Sequence, residues 1–236
     1  MIVPGSANAL MLGQTQTTGY NLTNSLRFRA SASAYLNRTL ITPTNNKIFT
    51  WSGWVKIGNS PTVYPTLFAA ASTTTTNYFD NIGFENNSIV VFWNGASSGY
   101  LVTTQVLRDP AAWYHIVVAV DTTQATASNR CKIYVNGTQV TSFSTATYPT
   151  QNYSQLFNSA VGHRYGVGQA GSGLLYYFDG YLTEQYFIDG QQLTPSSFGE
   201  TNATTGVWQP KAYTGTYGTN GFYLKFTDIA LSLIHI

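Results

Sequence analysis

Short runs in which apolar and polar residues alternate, separated by turn residues, dominate the sequence from residue 25 onward. The run WYHIVVAVD (113–121) is apolar on both faces, which predicts a central strand covered on both sides. In KIFTWSGWVKI (47–57) one face is more polar, so we expect it to meet solvent or a shallow groove; it consists of Thr50, Ser52, Trp54 and Lys56. Many short strands with turns between them indicate an all-β sandwich or barrel.

Turn residues mark the ends of several of these runs. Asn136-Gly137 supplies the two positive-φ positions of a type I′ hairpin turn, and Asp189-Gly190 is interpreted as a second such turn. The predicted strands are 25–30, 47–57, 66–71, 78–85, 88–93, 100–108, 113–121, 130–137, 138–144, 159–166, 181–188 and 221–226.

The 236 residues suffice for one large all-β domain or two small ones, and they are poor in charge: 8% are charged and the net charge is +2. Lysine and arginine are scattered, so no basic patch predicts nucleic-acid binding. The single cysteine, Cys131, excludes an internal disulfide framework and is expected to be a buried thiol. No apolar run reaches the roughly 18 residues of a membrane span. The N-terminus lacks the basic region of a secretory signal peptide, so we expect folding in a cytosol.

Three acids, Asp179, Glu184 and Asp189, fall within FDGYLTEQYFIDG (178–190) of this acid-poor chain. A glycosidase would place two carboxyl groups about 5 to 9.5 Å apart. Five residues of extended strand span roughly 16 to 17 Å, and an odd spacing sends side chains to opposite faces. A bulge could restore the parity but not the distance, so the stretch is not interpreted as a catalytic pair. Asp179 and Asp189 precede glycines and are expected to bond the backbone of their own turns.

Three segments, SGWVK (52–56), AWYHIVVAVD to KIYVNGTQV (112–140) and FDGYLTEQYFIDGQQLTPSSF (178–198), resemble laminin-G-like jelly-roll domains of the concanavalin A-like lectin/glucanase superfamily. The resemblance implies a jelly-roll β-sandwich of two antiparallel sheets. It also implies that Glu184 is a partly buried strand acid bonded to loop backbone, and that His115 packs against or bonds a neighbouring loop. The expected organisation is an N-terminal arm or linker (1–24), the jelly roll (25–200), an extension that returns a final strand (201–230) and a separate terminal segment (231–236).

The stretch from Thr194 to Phe226 is similar to a group of bacteriophage virion proteins that carry this fold. That resemblance implies a tail-fibre-type protein located on the virion, with other virion proteins or further copies of itself as partners. The terminal LSLIHI (231–236) has two interpretations. Read back through the genetic code, it can be encoded by a sequence that resembles a transposon end used in sequencing libraries, which would make it an artefact on a truncated gene. Otherwise it is an apolar strand that needs a partner edge.

Sugar binding requires an aromatic face flanked by amide, carboxylate or guanidinium groups. The candidate residues lie in GHRYGVG (162–168), in FWNGASSGY (92–100) and on the polar face of 47–57, and packing at the rim of the sandwich is the alternative role for each. They are Trp54, Trp93, Asn94, Tyr100, His163, Arg164 and Tyr165.

Calcium is the one cofactor that the resemblance suggests, through loop oxygens such as those of Asp80, Asn81 and Asp121. No metal site is assigned, because these residues form no DxD-like constellation. Three functions remain open: a host-glycan-binding adhesin without catalytic residues, a purely structural virion protein, and a glycoside hydrolase of the same fold.

Overall fold

The computed structural model describes residue 20 and residues 22–58, 64–72, 79–94, 96–170 and 173–227. Its strands are β1 (Leu26–Phe28), β2 (Leu36–Thr39), β3 (Ile48–Ile57), β4 (Thr66–Ala71), β5 (Phe79–Glu85), β6 (Ser88–Trp93), β7 (Gly99–Val106), β8 (Tyr114–Asp121), β9 (Cys131–Val135), β10 (Thr138–Gln139), β11 (Phe143–Thr147), β12 (Gly162–Tyr165), β13 (Gly168–Ala170), β14 (Gly173–Leu175), β15 (Gly180–Asp189), β16 (Gly199–Thr201), β17 (Trp208–Pro210) and β18 (Phe222–Leu224). Single turns of 3₁₀ helix lie at Ala30–Ala32, Ala127–Asn129 and Pro195–Ser197.

Two large antiparallel sheets pack face to face, which confirms the predicted all-β jelly-roll sandwich. The first sheet has the order β1-β15-β3-β8-β9-β10, and β18 also pairs with β15. The second sheet has the order β11-β7-β6-β5-β4-β12-β2. The face of each sheet that meets the other is called its inner face, and the opposite one its outer face. The core between the inner faces is rich in aromatic side chains, including Trp51, Phe68, Phe157 and Phe187.

Apolar alternation located the long strands well. The predicted strands 66–71 and 88–93 coincide with β4 and β6, and β8 lies between β3 and β9 with both faces buried, as predicted. The predictions missed β2, β13, β14, β16 and β17, which have three or four residues, glycines or polar side chains and therefore no readable alternation. The predicted start of one strand at Tyr78 lies outside the described residues.

One of the two predicted hairpin turns is confirmed. Asn136 and Gly137 have φ of 49° and 82°, as a type I′ turn requires, and they join β9 to β10. The second prediction is wrong, because Asp189 is still in the strand and only Gly190 has a positive φ, of 81°. After Gly190 the chain does not reverse to pair with β15 but crosses the outer face of the first sheet.

A β-bulge interrupts β15 opposite Gly53. Thr183 pairs with Trp54 and Tyr186 with Ser52, so β15 has one extra residue here, and Glu184 takes a φ of 52°. The amide of Gln185 occupies the space beside Gly53 and donates Nε2 hydrogen bonds to the carbonyl oxygens of Trp54 (3.2 Å) and Thr183 (2.8 Å). The side chain of Gln185 therefore supplies hydrogen bonds where the bulge breaks the ladder.

The outer face of the first sheet is covered by the C-terminal segment, which we define as residues 191–227. Thr50 Oγ1 donates to the carbonyl of Gln191 (2.7 Å) and accepts from the N–H of Leu193 (2.8 Å). The prediction that this face of β3 meets solvent or a shallow groove is therefore wrong, because Thr50, Ser52 and Trp54 are all buried. A second buried cluster fills the contact, made of Val117, Ala119, Tyr134, Tyr186, Ile188 and Phe198.

Most of the predicted N-terminal arm (1–24) and all of LSLIHI (231–236) lie outside the described residues. Of the helices within the described part of the chain, none has the length and apolar character of a membrane span.

Candidate functional site

The outer face of the second sheet carries a line of residues that are paired from strand to strand. Their neighbours in sequence, such as Leu101, Val91 and Ile82, belong to the core, so the line itself points away from it. This cross-strand row consists of Tyr100 on β7, Phe92 on β6, Asn81 on β5, Ala69 on β4, Arg164 on β12 and Asn37 on β2.

Aromatic rings form one end of the face. Phe92 and Tyr100 are half-buried, with ring centroids 6.1 Å apart, and Phe79 meets the edge of Phe92 at 5.1 Å. Tyr64 and Tyr176 form a second edge-to-face pair at 5.8 Å. Half-buried rings of this kind are fixed by the sheet and still offer apolar surface to a ligand.

A carboxylate lies beside these rings. The hydroxyl of Tyr100 donates a short hydrogen bond to Glu85 Oε2, reaching over β6 because β7 and β5 lie on either side of that strand. Burial and the bond to Glu85 both raise the pKa of Tyr100, so its phenol stays protonated at neutral pH. The pair presents a fixed ring together with a hydrogen-bonding carboxylate.

A guanidinium and an amide lie at the other end of the row. Arg164 is half-buried, and its Nη1 donates to Gln169 Oε1 at 2.8 Å. Gln169 belongs to β13, which packs against β4 and β5. Between the two ends, Ala69 and Asn81 are buried where β13 packs against β4 and β5, so they offer no surface to a ligand. Asn81 Oδ1 accepts a hydrogen bond from Thr66 Oγ1 at 2.7 Å.

Only two of the predicted sugar-binding residues, Tyr100 and Arg164, lie in this row. Asn94 is a half-buried turn residue with φ of 52° at the end of β6, where its side chain bonds Ser98. Trp54 lies on the outer face of the other sheet, 7% exposed, with its ring stacked on His115. Neither Asn94 nor Trp54 belongs to the row.

Three of the predicted residues are corrected to core residues, because a ligand cannot reach them. Trp93 is fully buried and donates Nε1 to Gln155 Oε1 at 3.0 Å. Tyr165, 4% exposed, accepts a hydrogen bond from Trp51 Nε1 at 3.2 Å. His163, 2% exposed, has its ring nitrogens 2.8 and 2.9 Å from two backbone carbonyl oxygens. All three point inward, because successive residues of a strand face opposite sides of the sheet. Trp93 follows Phe92, and His163 and Tyr165 flank Arg164, and both Phe92 and Arg164 face outward.

Sequence reasoning missed Phe92, Glu85 and Gln169. A signal for Phe92 was present: in SIVVFW, Ile89, Val91 and Trp93 alternate with Val90 and Phe92, so Phe92 must face away from Trp93. Alternation with the core residues Ile82 and Phe84 likewise directs Glu85 outward, but its position beside Tyr100 follows from strand pairing. Gln169 reaches the face through a short hairpin that no local pattern predicts.

A family model described as the concanavalin A-like lectin/glucanases superfamily, of laminin G type, matches residues 28–197. The chain belongs to this superfamily. A comparison with curated proteins finds no match. Among solved structures, the heptameric SAP-like pentraxin of Limulus polyphemus aligns over 85% of this chain and 91% of its own, with 14% identity and a TM-score of 0.55. Domains LG4-5 of the mouse laminin alpha1 chain align over 90% of this chain and 50% of their own, with 8% identity and a TM-score of 0.51. At these identities the likeness concerns the fold.

Because the superfamily name includes glucanases, the acids of 178–190 need a structural account. The Glu184 carboxylate, 3% exposed, accepts hydrogen bonds from the hydroxyls of Tyr20 (2.8 Å), Tyr186 (2.7 Å) and Tyr223 (2.6 Å). Glu184 was expected to be partly buried and bonded to loop backbone; it is fully buried, and its donors are tyrosines.

The other two acids of the stretch bond elsewhere in the chain, which corrects the prediction that they serve their own turns. Asp179 forms an ion pair with Arg27 at 2.6 Å. Asp189 accepts from the backbone N–H groups of Thr44 (2.8 Å) and Asn220 (3.1 Å) and from Asn158 Nδ2 (2.6 Å). The three carboxylates of the stretch share no hydrogen-bond partner among the described residues.

The residues suggested for calcium are turned toward protein donors. The carboxylate of Asp80 is buried, and the carboxylate of Asp121 accepts hydrogen bonds from the side chains of Thr123 and Gln124. Asp80 accepts the backbone N–H groups of Asn94 (2.9 Å), Leu156 (2.7 Å) and Phe157 (3.2 Å). These carboxylates do not fit a calcium ion, and the described residues contain no group of three His, Cys, Asp or Glu side chains able to hold a metal.

Two further residues have structural surroundings. Cys131 is a buried thiol, as predicted, and burial raises its pKa. His115 accepts the indole N–H of Trp208 at Nδ1 (2.9 Å), while Nε2 lies 2.9 Å from Ser52 Oγ. Because an indole can only donate, Nδ1 is unprotonated and the proton is on Nε2. Burial lowers the pKa of His115 to about 3, which keeps the ring neutral.

Proposed function

We propose that this protein is a non-catalytic recognition module that binds a glycan across the outer face of its second sheet. The observation that carries the proposal is the cross-strand row, which has the Phe92 and Tyr100 rings at one end and the Arg164 guanidinium at the other. A sugar ring can lie with its C–H face on an aromatic ring while its hydroxyls bond planar polar groups. The carboxylate of Glu85, beside Tyr100, is such a group.

The hydrogen bonds of the acids support a role without catalysis. Glu184 is committed to three tyrosines, and Asp179 and Asp189 bond separate parts of the chain. A glycosidase needs two carboxyl groups that face one cleft. No two carboxylates of the stretch 178–190 are arranged in that way.

The proposed setting is the surface of a phage particle, with a host-surface glycan as the ligand. Its support is the similarity of residues 194–226 to phage virion proteins. Proteomic analysis of purified particles tests this setting separately from sugar binding, and a gene neighbourhood of carbohydrate-utilisation enzymes would contradict it.

A purely structural virion protein is the second candidate. The exposed edge strand β2 favours it, because a strand edge can pair with another chain. This alternative predicts that substitutions in the cross-strand row leave retention on glycans unchanged.

Glycan-array binding by the wild type and two variants tests the proposal. Phe92→Ala and Tyr100→Ala each remove a ring that would contact a sugar. Retention is expected to fall by roughly fivefold to a hundredfold, since one stacked ring contributes about 1 to 3 kcal/mol in the comparable case of stacked bases. Tyr181→Ala is the matched control, because Tyr181 is an exposed aromatic on the first sheet. Retention of no sugar, or equal retention by all four proteins, contradicts the proposal.

A further inference from the structure

Arg164 is held in a fixed position within the cross-strand row. It lies on β12, paired with Ala69 on one side and Asn37 on the other, and Nη1 is bonded to Gln169. The Arg164 side chain is thus partly immobilised before any ligand binds, which lowers the entropic cost of using it for binding.

The other arginines with assigned partners are engaged differently. Arg27 pairs with Asp179, Arg130 donates to three backbone carbonyls, and Arg38 lies over the Phe222 ring at 4.9 Å. Arg164 makes no ion pair with any acid among the described residues, and the pair between Arg27 and Asp179 is the one they contain. A half-buried guanidinium without a carboxylate partner is a strong site for an anion.

The spacing of the row sets the size of the ligand. From Phe92 to Arg164 the row crosses three strand intervals of about 4.8 Å, or roughly 14 Å between Cα atoms. Ala69 and Asn81, between the two ends, are buried, so a ligand would contact the row only at its ends and pass over the middle. A single sugar ring is too small to contact both ends, so a ligand that uses both needs at least two or three sugar units. Its acidic group would lie at Arg164 and a less polar ring at Phe92 and Tyr100.

Building on the proposed function, we propose that this face selects acidic glycans, and that Arg164 confers the selectivity by pairing with a carboxylate or sulfate of the ligand. The guanidinium can make two parallel hydrogen bonds to either anion, a geometry that lysine cannot reproduce. Arg164 is therefore the specificity-determining residue, whereas the aromatic end contributes affinity for both acidic and neutral sugars.

Calorimetric titration with matched ligands tests the inference. The probes are lactose, its 3′-sialylated form and its 3′-sulfated form, which distinguish a carboxylate from a sulfate. The wild type is expected to bind at least one acidic form about tenfold to a hundredfold more tightly than lactose, as a charge-assisted pair provides. Added salt should weaken the binding of the acidic forms more than the binding of lactose.

Three variants locate the effect. Arg164→Gln should abolish the preference, because it weakens binding of the acidic forms far more than binding of lactose. Arg164→Lys should retain only part of the preference, and Gln169→Ala should reduce it by loosening the guanidinium. Arg29→Gln is the control, because Arg29 is an exposed arginine beside the first sheet.

The outcomes separate the two proposals. Equal affinities in the wild type, or a preference that survives Arg164→Gln, overturns the acidic selectivity, and the proposed function stands if Phe92→Ala still weakens lactose binding. If no sugar from the array or the titrations binds, both proposals fail.

Discussion

Glu184 shows how a residue can resemble a catalytic acid and be structural. Its positive φ at the bulge directs the carboxylate toward the tyrosines of the outer face, and the hydroxyl of Tyr20 also lies 2.7 Å from that of Tyr223. One buried carboxylate thus joins the chain near residue 20, strand β15 and strand β18.

Replacing Glu184 with glutamine should destabilise the fold. The amide offers one acceptor oxygen where the carboxylate offers two, so at least one hydroxyl loses its acceptor, and the free energy of unfolding should fall by about 1 to 3 kcal/mol. Urea denaturation measures this change. Glu200→Gln is the control, since Glu200 is exposed, and equal losses in the two variants would refute the assigned role.

His115 predicts a dependence of stability on pH. Its pKa is about 3 in the folded protein and near 6.5 when unfolded, so between these values only the unfolded chain takes up the proton. Stability therefore falls as pH drops below 6.5, by at most about 1.4 kcal/mol per pH unit from this group. In His115→Gln this contribution is absent. The free energy of unfolding, measured with urea between pH 4.5 and 7, should therefore depend less steeply on pH than in the wild type. If the unfolding free energies of the wild type and of His115→Gln changed in parallel with pH, the assignment of a neutral His115 ring would be wrong.

Among the elements, the bulge in β15 depends on a glycine in the facing strand. A Cβ at residue 53 would overlap the side-chain amide of Gln185. Gly53→Ala is thus expected to reduce the free energy of unfolding by about 1 to 3 kcal/mol, as other overpacking substitutions do.

Gly162→Ala is the matched control for that measurement, because Gly162 is also in a strand and its added Cβ would meet nothing closer than 3.8 Å. Similar thermal midpoints for the two variants would show that the bulge tolerates the methyl group.

The C-terminal segment is fixed to the first sheet by Trp208. Its ring stacks on His115 with centroids 5.9 Å apart, and a Cβ on Gly137 would come within 2.6 Å of it. Trp208→Ala should cost about 2 to 3 kcal/mol, somewhat below the value for a fully buried tryptophan, because part of the ring is exposed. Limited proteolysis should then cleave the turn at residues 202–207 faster, whereas Val207→Ala, at an exposed neighbour, should not change the rate.

The sequence predicts elements where the signal is local. The apolar runs of β4, β6 and β8 are local, and so is the positive φ at Asn136 and Gly137. The bulge at Glu184 and the cover over Thr50 depend on contacts with residues distant in the sequence, such as Gly53 and Leu193. The candidate site was predicted in part for the same reason: Tyr100 and Arg164 were identified from residue type, whereas burial of Trp93 and Tyr165 follows from strand register.

At the scale of the whole molecule, the two outer faces have different roles. The first sheet is sealed by the C-terminal segment, while the second presents half-buried rings and a guanidinium. A single shallow face of this kind is expected to bind weakly, so adhesion would depend on several copies acting together.

Fusion to a trimeric coiled coil tests the role of multiple copies. Retention on a glycan-coated surface should rise by roughly a hundredfold to ten-thousandfold over the monomer, with no new contact in any one site. Surface plasmon resonance at low and high ligand density measures the gain. A trimer that dissociates as fast as the monomer at high density would refute this mode of adhesion.

The contact between Tyr20 and Tyr223 has a practical consequence for orientation. Both residues meet at Glu184 on the outer face of the first sheet, which is the side of the sandwich away from the proposed glycan face. A carrier protein joined to the chain before Tyr20 or after Tyr223 would therefore be attached on the side of the first sheet. Attached in that way, the domain would point the proposed glycan face outward, away from the carrier.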